Sequence, residues 1–242
     1  PFYRERLAGF ADVRPEEPSS WMRLPFTTAA DLIRHGDRFL CVSRGDIERM
    51  VTLFSSGTTA PPKRIAFTGE DLAHTLDFFA VGMAGIVSPG DRVLILLPGD
   101  RPDSVGDLLQ RGLARIGCQG VPHGPVPDPG HTLSVIRDQA IDALVGIPVQ
   151  VLSLVRSDAA LQGPAPRVRS VLLTTDHVPE AVKRAVEAAW PCRVFNHYGM
   201  SEMGLGGGVE CEARDGYHLR EADLHIEIVD PETGRSLPDG EE

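Results

Sequence analysis

The sequence predicts an α/β fold, a mainly parallel sheet flanked by helices with a β-rich segment at the C-terminal end, and three observations carry that prediction. Apolar runs, VLILLP at 93–98, most of 141–147 and much of 168–173, read as strands buried on both faces, because strands covered on one side alternate instead. Stretches with apolar residues at helical spacing, 71–84, 107–116 and 150–158, lie between or beside those runs. Repeated alternation of the two kinds of segment is the pattern of a parallel sheet covered by helices.

Taken in order, residues 1–50 form a helix-and-loop lead-in, with a Pro-punctuated stretch at 21–26 and a short helix over 28–35 that Thr28 can cap. Residues 50–54, MVTLF, are apolar and β-prone and should deliver the loop that follows to the end of a strand, where open α/β sheets place their ligands. Asp71 opens a helix that ends before the Ser88-Pro89-Gly90-Asp91 turn, and RVLILLP follows as a strand. GVPHGPVPDPG from 120 reads as a Pro/Gly-rich connection. After the strand near 168–173 come a polar turn and the amphipathic stretch in LLTTDHVPEAVKRAVEAAW. The end, IEIVDPETGRSLPDGE at 226–241, alternates and is broken by Asp-Pro and Thr-Gly, which predicts a β-hairpin. The organisation expected is a lead-in over 1–50, an α/β core over 51–220 and the start of a β subdomain over 221–242.

With 42% hydrophobic residues among 242, the chain can bury one large core or two modest ones. A formal charge of −10 argues against nucleic acid or an anionic membrane as the main partner, since both need clustered cations. The sequence has no apolar run approaching about 20 residues and no signal-peptide h-region at its start. Four cysteines without a dense framework fit a reducing cytoplasm.

The most informative stretch is TLFSSGTTAPPK at 52–63. Ser55, Ser56, Thr58 and Thr59 crowd four hydroxyls around Gly57, whose conformational freedom lets successive amides turn inward as an anion-binding nest. Lys63 adds a flexible point charge. Hydroxyls, amides and a cation are what a polyphosphate requires, although a Ser/Thr/Gly/Pro cluster taken alone is an ordinary turn. It is not a Walker A loop, because no glycine precedes Lys63 and Arg64 stands where a Ser or Thr would meet magnesium.

SSGTTAPPK resembles the phosphate-binding signature of the adenylate-forming enzymes, which include acyl-CoA synthetases, peptide-synthetase adenylation domains and luciferases; Ala60 replaces that signature's last glycine. FNHYGMSEMGLGGG at 195–208 resembles the same superfamily's YGxTE motif, with Ser201 in place of threonine, and 226–241 resembles the strand-turn-strand near the end of its large N-terminal domain. PFYRERL, LPFTTAADL and HYGMSEMGLGGGVECEARDGYHLREAD are most similar to the phenylacetate-CoA ligases. The resemblance implies ATP, Mg²⁺ and CoA as cofactors and a small carboxylic acid as substrate. It assigns catalytic roles to Lys63, Ser201 and Glu202, with Glu202 holding magnesium, a cation that prefers oxygen ligands and takes few from protein. It places Ser55, Ser56, Gly57, Thr58, Thr59, Thr174, Thr175, Asp176, His197, Tyr198 and Gly199 around the nucleotide; for Asp176, helix capping ahead of Pro179 is an equal account.

The acyl group has weaker signals. GLGGG at 204–208 would let backbone approach a flat substrate closely, or would serve as a flexible loop, and Ile147, Pro148 and Val149 are either pocket lining or a plain strand end. Cys211 and His218 offer two ligands suited to zinc, too few alone; by resemblance a Cys-x-Cys pair beyond residue 242 could complete a structural Zn²⁺ site, while a free cysteine and a surface histidine explain them separately. Cys192 and His197 also have ligand-like spacing, which the motif around His197 explains better.

The expected reaction joins the acid to AMP with release of pyrophosphate, then transfers the acyl group to the CoA thiol. An alternative is transfer to a carrier protein or other acceptor, and a non-enzymatic one is a degenerate nucleotide-binding module. The family's ribose-binding aspartate and the mobile C-terminal domain with its lysine have no counterpart up to Glu242, so a truncated N-terminal domain is expected, poor at the complete reaction. The relatives' habit implies a homodimer.

Overall fold

The computed structural model describes residues 1–14, 16–53, 62–161, 164–238 and 240. The hydroxyl-rich loop, with Ser55, Ser56, Gly57, Thr58 and Thr59, lies outside the described residues. The chain divides into two compact units, Pro1–Gly69 with Asp223–Glu242, and Glu70–Ala222.

The first unit holds three short helices, α1 (Phe2–Arg6), α2 (Pro18–Trp21) and α3 (Ala29–His35), then strands β1 (Ile47–Leu53) and β2 (Lys63–Thr68). The expected cap of α3 is present in full: the Asp31 amide donates to Thr28 Oγ1 at 3.1 Å, and the Thr28 amide donates to Asp31 Oδ2 at 3.0 Å. Phe2 anchors the lead-in by stacking on Phe39 with ring centroids 4.3 Å apart. β1 departs from expectation. It pairs antiparallel with β2 in a two-stranded sheet of their own, so the strand that precedes the hydroxyl-rich segment is not part of the parallel sheet. The reason is visible in β1 itself, whose residues alternate between half-buried and exposed, as befits a strand covered on one face. The predicted C-terminal hairpin is reduced, among the described residues, to one bridge between Val229 and Ser236. Its turn is nevertheless well made: Asp230 Oδ1 accepts from the amides of Glu232 and Thr233 at 2.7 and 2.8 Å.

The second unit begins with α4 (Gly69–Ala84), which starts at the boundary, and continues β3 (Arg92–Ile95), α5 (Val105–Arg115), β4 (Gln119–Pro122), α6 (Pro129–Asp138), β5 (Ala143–Gly146), α7 (Pro148–Leu161), β6 (Ser170–Leu173), α8 (Glu180–Ala189), β7 (Arg193–Tyr198), β8 (Gly208–Val209) and β9 (His218–Leu219). The seven strands form one sheet in the order β4-β3-β5-β6-β7-β8-β9. The first four pairings are parallel and the last two antiparallel. Strand β4 overlaps the start of the segment read as a Pro/Gly-rich connection. Pro122, which has no amide to donate, is tolerated there because β4 is the edge strand and needs a partner on one side only. α6 begins at Pro129, within that same segment; Asp128 caps it by accepting from the Gly130 amide at 3.0 Å.

Burial of both sheet faces drives this unit together. Leu94, Leu144, Val171 and Val194 are at most 1% exposed and pack in one cluster with Leu133, Leu154 and Trp190 from the covering helices and their ends. The carboxylates buried there are matched. Asp158 accepts the Trp190 indole N–H at 2.8 Å and pairs with Arg137, and Asp142 accepts the Arg92 amide at 2.9 Å.

α5 lies hard against the turn after β3. A Cβ on Gly106 would stand 2.8 Å from the Pro98 carbonyl oxygen and 2.9 Å from Gly99 Cα, both backbone atoms that cannot swing aside. Gly106→Ala should therefore lower unfolding stability by about 1–3 kcal/mol, read as a fall in urea midpoint; an unchanged midpoint would mean that helix and turn are not packed this closely.

Candidate active site

Parallel strands β5, β6 and β7 end side by side, so the residues that follow them gather at the carboxyl edge of the sheet. Thr174, Thr175 and Asp176 follow β6, Ile147 follows β5, and Tyr198 ends β7. The register holds them: the Thr174 amide donates to the Gly146 carbonyl at 3.0 Å. Thr174 is buried and its hydroxyl meets His197 Nδ1 at 2.8 Å, which joins two of the sequence-derived candidates directly. Thr175 is exposed and takes φ +77°, a left-handed conformation that a β-branched residue enters only against strain of about 1–3 kcal/mol. Asp176 is exposed, and its side chain accepts from the adjacent His177 amide; α8 has no side-chain cap, so the capping account of Asp176 does not hold.

His197 is the chemical centre of this edge. Its ring lines an apolar pocket with Phe78, Phe79, Met83, Leu97 and Leu205, a space of about 440 Å³ counting its open mouth. Burial pushes the imidazole down to a pKa of about 4, so it is neutral at pH 7. While Nδ1 is engaged by Thr174, Nε2 is buried without a hydrogen-bond partner.

After β7 the backbone turns through Gly199, where a Cβ would stand 2.8 Å from His197 Cε1. Ser201 and Glu202 then form a short 3₁₀ turn, Ser201–Met203, with Ser201 half-buried and Glu202 exposed. Tyr198 is 46% exposed, its ring 6.1 Å from that of Tyr217, so it offers a flat face to solvent and to whatever binds there.

The glycine run that follows returns as β8, pairing Val209 with His197 and Gly208 with Tyr198. Gly206 is required by close approach: a Cβ there would fall 2.2 Å from a Phe78 ring carbon and 3.2 Å from His197 Nε2. Thr75 on α4 donates to the Gly204 carbonyl at 2.9 Å, and Arg220 donates to the Met203 and Gly204 carbonyls at 3.2 and 3.3 Å while its guanidinium lies 5.6 Å from the Phe78 ring centre. β7 and β8 are tied by Glu210, which accepts the Asn196 amide at 2.8 Å and the Lys183 ammonium at 3.1 and 3.2 Å in a buried pair.

Phe78, Thr75 and Arg220 are not among the sequence-derived candidates, because an aromatic or threonine at helical spacing reads as core and an arginine after a hairpin reads as surface. The adjacent Phe78 and Phe79, the two phenylalanines of α4, are the signal that could have drawn notice. Of the acyl candidates, Leu205 in the glycine run lines the pocket, but Ile147, Pro148 and Val149 do not; Val145 does, and Pro148 and Val149 open α7, with Val149 67% exposed. Lys63 opens β2 in the first unit.

Cys211 follows β8, and β9 sets His218 opposite Val209, so the two share one end of that hairpin. Cys192 and His197 lie before and near the end of β7, about 16 Å apart at the rise of a strand, too far to share an ion. Burial, with the Glu187 carboxylate nearby, pushes the Cys192 thiol up to about 12. Among the described residues no three His, Cys, Asp or Glu side chains are placed to hold a metal ion, and no helix is long and apolar enough to cross a membrane.

The AMP-binding enzyme family's sequence model matches residues 48–242. The phenylacetate-coenzyme A ligase of Pseudomonas putida is 28% identical over 100% of this chain and 56% of its own length. The enzyme of the same name from Thermus thermophilus is 30% identical over 99% of this chain and 55% of its own. The chain thus spans about half the length of the curated relatives it matches. The fold matches a solved structure of 2-hydroxyisobutyryl-CoA ligase, in an open conformation with 2-HIB-AMP and CoA, at a TM-score of 0.85 and 19% identity, covering 100% of this chain and 55% of that one.

The buried, neutral His197 has a signature in solution. Its folded pKa, about 4, lies below the ordinary value of 6.5, so between those pH values the unfolded chain binds a proton that the folded chain refuses. The contribution is intact above pH 6.5 and is lost as pH falls toward 4, at up to about 1.4 kcal/mol per pH unit before solvent screening. Urea midpoints measured at pH 7.5, 6 and 5 should fall less steeply in His197→Gln than in the parent; equal slopes would show the imidazole to be solvated.

Proposed function

Because the chain belongs to the AMP-binding enzyme family, we propose that the protein activates a small aryl acid, phenylacetate-like, by joining it to AMP and then passes the acyl group to CoA. The observation that carries this reading is the meeting, at one sheet edge, of the Thr174–His197 contact, the Tyr198–Glu202 turn and an apolar pocket that Leu205 of the glycine run helps to line. Phosphate chemistry needs polar groups and a hard-cation ligand, an aryl acid needs an apolar slot, and here the two are contiguous. CoA is favoured over a carrier protein as acceptor because the relatives that cover the whole chain carry that name.

In this reading a substrate carboxylate oxygen attacks the α-phosphorus of ATP, the bond to pyrophosphate breaks, and an acyl-adenylate forms. The CoA sulfur then attacks the acyl carbon and AMP leaves, the thiol proton passing to solvent. The chain's own groups orient and stabilise rather than bond to the substrate. Tyr198 presents its exposed face to the adenine, Ser201 donates to the α-phosphate, and Thr174, Thr175 and Asp176 border the adenosine. Glu202, an exposed single carboxylate, suits a magnesium ion that arrives with its waters and nucleotide; bound there, the ion would neutralise charge on phosphate. Lys63 and the loop containing Ser55 to Thr59 are assigned to the outer phosphates from their motif alone. A cytoplasmic homodimer is the expected setting. Zinc at Cys211 and His218 is not included, since two ligands do not make a site.

The test is pyrophosphate release by the full-length protein supplied with MgATP and a panel of aryl acids. Release should depend on the acid, and Glu202→Ala or Lys63→Ala should lower kcat/KM by about a hundredfold or more. Acid-independent release, or full activity in Glu202→Ala, would overturn the assignment.

A further inference from the structure

The pocket at the sheet edge is apolar except for Thr174 and His197. Thr174 spends its hydroxyl on His197 Nδ1, which fixes the ring, and leaves Nε2 on the other side buried and unpartnered. That nitrogen lies 3.2 Å from where a Cβ on Gly206 would stand, a position the Phe78 ring crowds at 2.2 Å, and the Phe78 centroid is 6.0 Å from the imidazole's. A buried polar atom without a partner is costly, and a site built around one rejects a ligand that leaves it so. A neutral imidazole nitrogen either donates or accepts according to tautomer, and a hydroxyl is a small neutral group that can answer both. The Arg220 guanidinium on the far side of Phe78 is engaged with the Met203 and Gly204 carbonyls, so the imidazole is the polar group the pocket offers.

We infer that His197 is a specificity-determining residue and that the preferred substrate is an aryl acid bearing a hydroxyl on its acyl group, hydrogen-bonded to Nε2 inside the pocket. The inference rests on the proposed acid activation and narrows its substrate class. A hydrocarbon acid of the same size fills the apolar walls equally well but leaves the nitrogen unanswered. A charged substituent is disfavoured, because no opposite charge lines the pocket among the described residues.

The experiment compares kcat/KM for MgATP-dependent pyrophosphate release by the full-length protein with phenylacetate and with its 2-, 3- and 4-hydroxy derivatives. At least one hydroxylated acid should exceed phenylacetate by about tenfold or more, chiefly through KM. His197→Phe should reverse that order, and His197→Gln, which keeps a hydrogen-bonding group, should retain part of it. Phenylacetate equal to or better than all three derivatives in the parent protein would overturn the inference while leaving acid activation standing, and this comparison needs no variant to fold. Release with none of the acids, while other carboxylic acids support it, would overturn the aryl class and the inference together; release with no acid at all would overturn the activation on which both rest.

Discussion

The buried carboxylate of Glu210 is the contact on which the site's shape depends. A lysine and a glutamate both removed from water are tolerable only as a hydrogen-bonded pair, and Glu210 completes its shell with the Asn196 amide. Three elements are thereby joined at one point: α8 through Lys183, β7 through Asn196, and the strand returning from the glycine run. His197 and Tyr198 follow directly from that anchored residue, so the direction in which they project is set by an ion pair a residue or two away from any chemistry. Without it, the antiparallel pairing of β7 and β8, two residues long on the β8 side, would have little to resist sliding.

A second layer of support comes from α4 and from the residue after β9. Thr75 and Arg220 hold the Met203 and Gly204 carbonyls in place, and that bracing lets Leu205 persist at φ +67°. Strain at Leu205 and at Thr175 lies at the pocket and at the carboxyl edge of the sheet respectively, a distribution that accords with strained backbone gathering where ligands bind.

Much of this is legible in the amino acids, and the exceptions share a cause. Strands β3, β5 and β6 declare themselves because a strand covered on both faces has no alternation to hide in. β4 does not, since its Gly120 and Pro122 read as punctuation, and only its place at the sheet edge excuses them. The first arm of the β1–β2 hairpin reads as part of an open sheet because the apolar content of MVTLF outweighs its weak alternation. Within the site, Thr174, His197, Tyr198, Ser201 and Glu202 are visible as motif positions. Phe78 and Arg220 are not, because they act across long separations, and the paired phenylalanines of α4 read as core. The pocket likewise exchanges Ile147, Pro148 and Val149 for Val145: the parallel strand ends sooner than its apolar run, and the residues after it turn into a helix.

The 2.2 Å gap that a methyl group at position 206 would leave to Phe78 has a consequence for inheritance. The glycine and the aromatic ring occupy one volume between them, so neither can drift independently: a larger residue at 206 demands a smaller one at 78, and the reverse exchange opens a void that some other side chain must fill. Related chains should therefore change at these two positions together.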